Sequence, residues 1–165
     1  MERTIMVRRK SIYGIMILAV VIATFLFALP VHAEGGKWMQ DTTGWWYQKE
    51  DGSYATGWTE INNDWYYFNG NGYNQTGWVE SNGSWYYCLP SGQMIKGWIQ
   101  AGGKWYYMDE NGIMKTEWME KDGEWYYFGT NGALVTGWEK TSSGNWYYFY
   151  DDGTMANDGW TNVDG

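Results

Sequence analysis

Cysteine is almost missing from this chain. Cys88 stands alone, so no intramolecular disulfide can staple the fold and stability has to come from packing. Histidine is as scarce, with His32 the only one, and it falls in an N-terminal segment that reads as a removable leader. Beyond that leader there is no histidine, no cysteine pair and no nucleophile–base signature, which removes the common hydrolase triads and most zinc sites. Positive charge is short too. Beyond residue 33, seven Lys and Arg face 18 Asp and Glu, a net of −11. Such a surface repels phosphate backbones and favours a cationic ligand, so nucleic acid is not an expected partner. Leu, Ile and Val are sparse after the leader, and no stretch there sustains an apolar 3.6-residue period free of glycine, so no helix is expected.

What the chain has instead is aromatic. All 14 Trp and all but one of the 15 Tyr lie beyond residue 33, a density above what a core of this size needs. The first 33 residues have the three parts of a secretory signal: basic Arg8-Arg9-Lys10, an apolar run from Ile12 to Leu29, and Val31-His32-Ala33 with small residues where a signal peptidase reads. Cleavage after Ala33 is expected. The alternative is a retained anchor, because the run reaches the roughly 18 residues of a transmembrane candidate. Either outcome places the remainder outside the cell.

From residue 38 an internal repeat dominates. One Trp series runs Trp38, Trp58, Trp78, Trp98, Trp118, Trp138 and Trp160, in steps of 20 residues with a last step of 22. A second runs Trp45, Trp65, Trp85, Trp105, Trp125 and Trp146, each followed by two more aromatics. Turn residues recur in phase at Asn62-Asn63, Asn82-Gly83, Gly102-Gly103, Asp122-Gly123 and, after an insertion, Ser143-Gly144. All are suited to tight hairpin turns. A connector glycine recurs from Gly52 to Gly153, and another precedes the first Trp except at Lys37 and Glu117. Glycine before the Trp is read as relieving crowding without being obligatory.

Each unit therefore reads as a β-hairpin. With Gly102-Gly103 as the turn, Ala101 pairs with Lys104, Gln100 with Trp105, Ile99 with Tyr106 and Trp98 with Tyr107, and the period of two puts Trp98, Trp105 and Tyr107 on one face. An isolated hairpin cannot bury three large rings. The expected fold is all-β, a solenoid of stacked β-hairpins with 20-residue repeats, each contacting mainly its neighbours. Residues 34–165 hold six complete hairpins and an incomplete last unit, read as a truncated array or a frayed cap. Cys88 takes the place that Phe68, Phe128 and Phe149 hold elsewhere, and is read as a small hydrophobe.

Tyr66, Tyr86, Tyr106, Tyr126 and Tyr147, with the Phe series, alternate to the other face and are read as packing. The Trp series call for a use, since Trp offers the strongest cation–π face. Two Trp and a Tyr meeting at right angles make a box for a quaternary ammonium. At about 0.5–2 kcal/mol per ring, one box holds a small cation at roughly millimolar affinity. Several boxes facing a polymer that repeats the cation gain orders of magnitude through effective concentration.

This pattern of Gly-Trp, hairpin turn, Trp-Tyr-Tyr-Phe, connector Gly and a Met two residues later resembles the choline-binding, or cell-wall-binding, repeats of Gram-positive surface proteins over residues 37–165. The resemblance implies a left-handed superhelix in which choline of teichoic or lipoteichoic acid sits between hairpins, against two Trp of one unit, a Tyr of the next and often a connector Met. Carried over, it implies boxes of Trp38, Trp45 and Tyr67; Trp58, Trp65 and Tyr87; Trp78, Trp85 and Tyr107 with Met94; Trp98, Trp105 and Tyr127 with Met114; and Trp118, Trp125 and Tyr148 with Leu134. The choice of the second Tyr rests on strand alternation. Trp138 and Trp146 have no following Tyr, so their box is left open. Tyr54 and Asn74 stand at the Met place in the first two connectors, and the polar Asn74 weakens the second box.

The resemblance implies a secreted, cell-wall-associated module without catalytic residues, metal or cofactor. Contact with a membrane would come only through an uncleaved N-terminal segment. Similar aromatic repeats also occur in glucan-binding regions, where flat rings stack on sugars, and a glucan is the alternative ligand. A carboxylate pair such as Glu117 and Glu120 is the one arrangement open to glycosidase chemistry, but solvated surface residues are the simpler reading. Asp109, Asp151 and Asp152 lie in connectors without the ligand density of a calcium loop. An adhesin or spacer binding a host protein is a third reading.

Overall fold

The computed structural model describes residues 35–156. The leader, the expected cleavage site and the unit begun at Trp160 lie outside the described residues. Twelve short strands pair in sequence into six separate two-stranded antiparallel sheets, β1 (Gly36–Gln40) with β2 (Trp45–Lys49), β3 (Gly57–Ile61) with β4 (Asp64–Phe68), β5 (Gly77–Ser81) with β6 (Ser84–Cys88), β7 (Gly97–Ala101) with β8 (Lys104–Met108), β9 (Glu117–Lys121) with β10 (Glu124–Phe128), and β11 (Gly137–Lys140) with β12 (Trp146–Phe149). No helix occurs among the described residues. The array is the expected hairpin solenoid.

Aromatic-rich strands suit a pleated, half-buried surface, and the turns fix their register. Ala101 pairs with Lys104, Gln100 with Trp105, Ile99 with Tyr106 and Trp98 with Tyr107, as the turn chemistry predicts. Asn62 and Asn63 have φ of 54° and 68°, and Asp122 and Gly123 have 55° and 83°. Two successive positive values mark the turn whose twist matches the strands. The first hairpin does it otherwise. Its loop Asp41–Gly44 carries no positive φ among its non-glycine residues. There Asp41 Oδ1 accepts the Thr43 amide at 2.7 Å and the Gly44 amide at 3.2 Å, a side chain substituting for turn geometry.

Hairpins join through their connectors. After β8, the Gly112 amide donates to the Asp109 carbonyl, and Asp109 Oδ1 accepts the Asn111 and Ile113 amides at 2.8 and 2.9 Å. The connector carboxylate thus closes a turn. The next amide, of Met114, crosses to the preceding hairpin and donates to the Trp85 carbonyl at 2.8 Å. The same bond repeats from Asn74 to Trp45, Met94 to Trp65, Leu134 to Trp105 and Met155 to Trp125, at 2.7–2.8 Å.

The fully buried column consists of Phe68, Cys88, Met108, Phe128 and Phe149, the last strand residue of five consecutive hairpins. Each Phe and Met of this column contributes about 1.5–3 kcal/mol by burial. Cys88 sits in this column as a hydrophobe, and burial pushes its thiol up to about 11. A second contact column sets the approach of successive units. A Cβ on Gly112 would collide with Met94 Sδ and lie 2.7 Å from its Cε, and Gly132 meets Met114 and Gly153 meets Leu134 in the same way. The glycines before the first Trp differ. Gly77, Gly97 and Gly137 would meet nothing within 4 Å, so crowding is not their reason. Backbone conformation is, because their φ values lie at 76–82°. Glu117 holds the same place at φ 60° and bears the cost of that conformation.

Candidate functional site

Each first Trp from Trp38 to Trp118 lies between two tyrosines. One is the second Tyr of its own hairpin, directly across the ladder: Trp38–Tyr47, Trp58–Tyr67, Trp78–Tyr87, Trp98–Tyr107 and Trp118–Tyr127 have centroids 5.1–5.4 Å apart, and Trp138–Tyr148 repeats the pair at 5.4 Å. The other is the first Tyr of the following hairpin: Trp38–Tyr66, Trp58–Tyr86, Trp78–Tyr106, Trp98–Tyr126 and Trp118–Tyr147 lie 4.7–5.2 Å apart. These are separations at which tilted and edge-to-face rings attract.

The paired Trp rings stand nearly square to each other. Trp78 and Trp85, Trp98 and Trp105, and Trp118 and Trp125 have centroids 6.0–6.5 Å apart and interplanar angles of 81–84°. The first Trp of each of these pairs is partly buried, whereas Trp45, Trp65, Trp85 and Trp125 remain exposed. The Trp78–Trp85 and Trp118–Trp125 pairs therefore make corners with one wall fixed by packing and the other facing solvent, whereas in the Trp98–Trp105 pair both rings are half-buried. In the unit of Trp58 an open-mouthed cavity of about 370 Å3 is lined by Trp58, Trp65, Tyr86 and Met94, with Lys96, Glu110 and Asn111 completing the lining.

Trp78 with Trp85, Trp98 with Trp105 and Trp118 with Trp125 lie against each other, and Trp58 and Trp65 line one cavity, but their tyrosine and connector partners are grouped differently from the sequence expectation. Tyr67, Tyr87, Tyr107, Tyr127 and Tyr148 pack on the Trp of their own hairpins, while the Tyr before each faces back to the preceding unit. The physical reason is parity. Successive hairpins stack back to front, so the residue reaching back belongs to the face opposite the Trp. Phe128 lies on that same back face, 5.8 Å from Trp98. The connector residues also shift by one unit, because their amides bond the preceding hairpin. Met94 joins Trp58 and Trp65, Met114 joins Trp85, Leu134 joins Trp105, and Met155, not singled out from sequence, joins Trp125. Asn74 consequently belongs with Trp45 of the first unit, where its Oδ1 is buried without a hydrogen-bond partner. Strand alternation puts the first Tyr on the back face, directly opposite Val79 or Ile99, but which face meets the preceding Trp is set between hairpins.

Among the described residues no group of three His, Cys, Asp or Glu side chains is placed to hold a metal ion. The choline-binding repeat family matches four overlapping stretches, residues 55–96, 76–117, 95–137 and 115–160. No curated protein sequence matches the chain. Among solved structures, choline binding protein F of Streptococcus pneumoniae is 41% identical with a TM-score of 0.70, over 78% of this chain and 43% of that one. CbpJ from the same species is 40% identical with a TM-score of 0.69, over 72% of this chain and 41% of the other. The multimodular pneumococcal cell wall endolysin from phage Cp-1, solved with choline, is 36% identical with a TM-score of 0.55, over 79% of this chain and 40% of its own. The chain thus spans about two-fifths of the length of each. Four matches to one repeat, in register with the hairpins, place this chain in the choline-binding repeat family.

Proposed function

We propose that the hairpin array binds choline residues of cell-wall teichoic or lipoteichoic acid and acts as a non-catalytic attachment module of a secreted, wall-associated protein. The observation that carries this reading is the cavity of Trp58, Trp65, Tyr86 and Met94. Three aromatic rings and a polarizable thioether offer faces to a quaternary ammonium, which needs no hydrogen-bond acceptor. The sites read as ligand-binding are Trp58, Trp65, Tyr86 and Met94; Trp78, Trp85, Tyr106 and Met114; Trp98, Trp105, Tyr126 and Leu134; and Trp118, Trp125, Tyr147 and Met155. The box of Trp38, Trp45 and Tyr66 has the polar Asn74 in the connector place and is the weakest.

One box supplies only about millimolar affinity. Repeated boxes on a rigid solenoid engage a polymer that carries many copies of the cation, and the second contact is then intramolecular. Relatives solved with choline and with a peptidoglycan analogue support the wall as target.

The test is to titrate the protein with choline and, separately, with an isomaltose oligomer, following Trp fluorescence and melting temperature. Saturable millimolar quenching and a raised melting temperature with choline alone are expected, because a ligand that binds only the folded state stabilises it. A response to the sugar alone would move the function to glucan binding.

A further inference from the structure

A second cavity, of about 220 Å3, lies at the first hairpin and is lined by Asp41, Trp46, Tyr54, Asn71 and Tyr73. Three of these are repeat equivalents of residues lining the Trp58 cavity. Trp46 stands where Tyr86 does, Tyr54 where Met94 does and Asn71 where Asn111 does, two repeats earlier. The cavity is therefore the downstream half of a box. No Trp pair of a preceding hairpin faces it among the described residues, since β1 is the first described strand.

Asp41 and Tyr73 complete the lining instead. Asp41, the first loop residue after β1, occupies the repeat position held by Ile61, Ser81, Ala101, Lys121 and Thr141 in the other units, and only here is the residue a carboxylate. Its Oδ2 accepts the Tyr73 hydroxyl at 2.9 Å, while Oδ1 accepts the Thr43 and Gly44 amides. Tyr73 is itself bridged to Trp46 through the backbone. These donors, the Thr43 amide foremost and then the Tyr73 hydroxyl, hold the Asp41 carboxyl below its ordinary range, so it is ionised at neutral pH.

We propose that this half-box is a separate binding site for an organic ammonium group, with Asp41 supplying by full charge the attraction that a Trp pair supplies in the interior boxes. A sugar is the poorer fit. Three donors from the protein already occupy the carboxylate's oxygens, leaving little capacity for vicinal hydroxyls, whereas attraction to a cation needs no free lone pair. The faces of Trp46, Tyr54 and Tyr73 add cation–π contact around it.

The test follows the indole N–H resonances of Trp46 and Trp65, assigned with Trp46→Phe and Trp65→Phe, while ethanolamine, choline, the uncharged choline isostere 3,3-dimethylbutan-1-ol or isomaltose is added. Saturable movement of Trp46 with at least one of the two ammonium compounds, and none with the isostere or the sugar, is the expected result. Asp41→Asn keeps the Oδ1 acceptor for the turn and removes the charge. It should weaken the Trp46 response about fivefold and leave the Trp65 response to choline unchanged. A Trp46 resonance that neither ammonium compound moves, or one that the isostere or isomaltose moves as readily, overturns the proposal. So does an Asp41→Asn response equal to that of the parent. The Trp65 signal reports the interior boxes independently, so loss of one reading is distinguishable from loss of the other.

Discussion

Replacing Gly112 by Ala probes the contact that sets one hairpin against the next. Gly112 has φ 78°, and an added methyl would collide with Met94 Sδ and stand 2.7 Å from Cε and 3.1 Å from Cγ. Two costs arise. The left-handed conformation costs an L-residue about 1 kcal/mol, and overpacking adds about 1–3 kcal/mol as Met94 and the connector give way. Gly102 supplies the control, because its φ is 56° but a Cβ there meets nothing within 4 Å. Gly102→Ala should therefore cost about 1 kcal/mol, and Gly112→Ala about 2–4 kcal/mol, read from urea unfolding followed by Trp fluorescence. In a Met94→Ala background the steric part disappears, and Gly112→Ala should cost only about 1 kcal/mol relative to that background. Equal losses for Gly102→Ala and Gly112→Ala, or a Gly112→Ala loss that Met94→Ala does not relieve, would refute the packing ladder.

Glu117→Gly should raise stability by about 0.5–1 kcal/mol, because relief of the left-handed strain exceeds the entropy glycine costs; an unchanged or lower urea midpoint contradicts this. Asn74→Met should add about 1 kcal/mol by removing a buried acceptor without a partner, and should strengthen the choline-dependent indole shift of Trp45; loss of stability would show that the first connector is built differently. Cys88, fully buried with its thiol raised to about 11, should resist a thiol-specific disulfide reagent at pH 8 in the native protein and react promptly in denaturant. Rapid native labelling would displace it from the core column.

The 20-residue period, the hairpin register and the buried Phe column are legible in the sequence because each depends on residues close along the chain. Asn62-Asn63 and Gly102-Gly103 announce their turns, and a fixed turn decides which residues face each other. Cys88 is legible by its place between Phe68 and Phe128 in the repeat. The partner of each Trp corner is not. Whether Tyr86 or Tyr87 reaches Trp58 depends on the rotation between hairpins, which Met–Gly contacts and the Met94 amide to the Trp65 carbonyl set across units. Strand alternation carries no information about that rotation. Asp41 escapes notice for a related reason. Its turn pair, Thr42-Thr43, gives no hairpin signal, and its partner Tyr73 lies 32 residues away.

If charge on the ligand, met by aromatic faces between hairpins, drives binding, then removing that charge at constant shape should remove most of the affinity. Calorimetric titration with choline and with its uncharged isostere 3,3-dimethylbutan-1-ol compares two ligands of nearly the same shape. Choline should bind saturably in the millimolar range, with the isostere at least about tenfold weaker, a difference of about 1.4 kcal/mol. Equal affinity for the two would contradict a cation–π box and leave the Trp corners as apolar pockets.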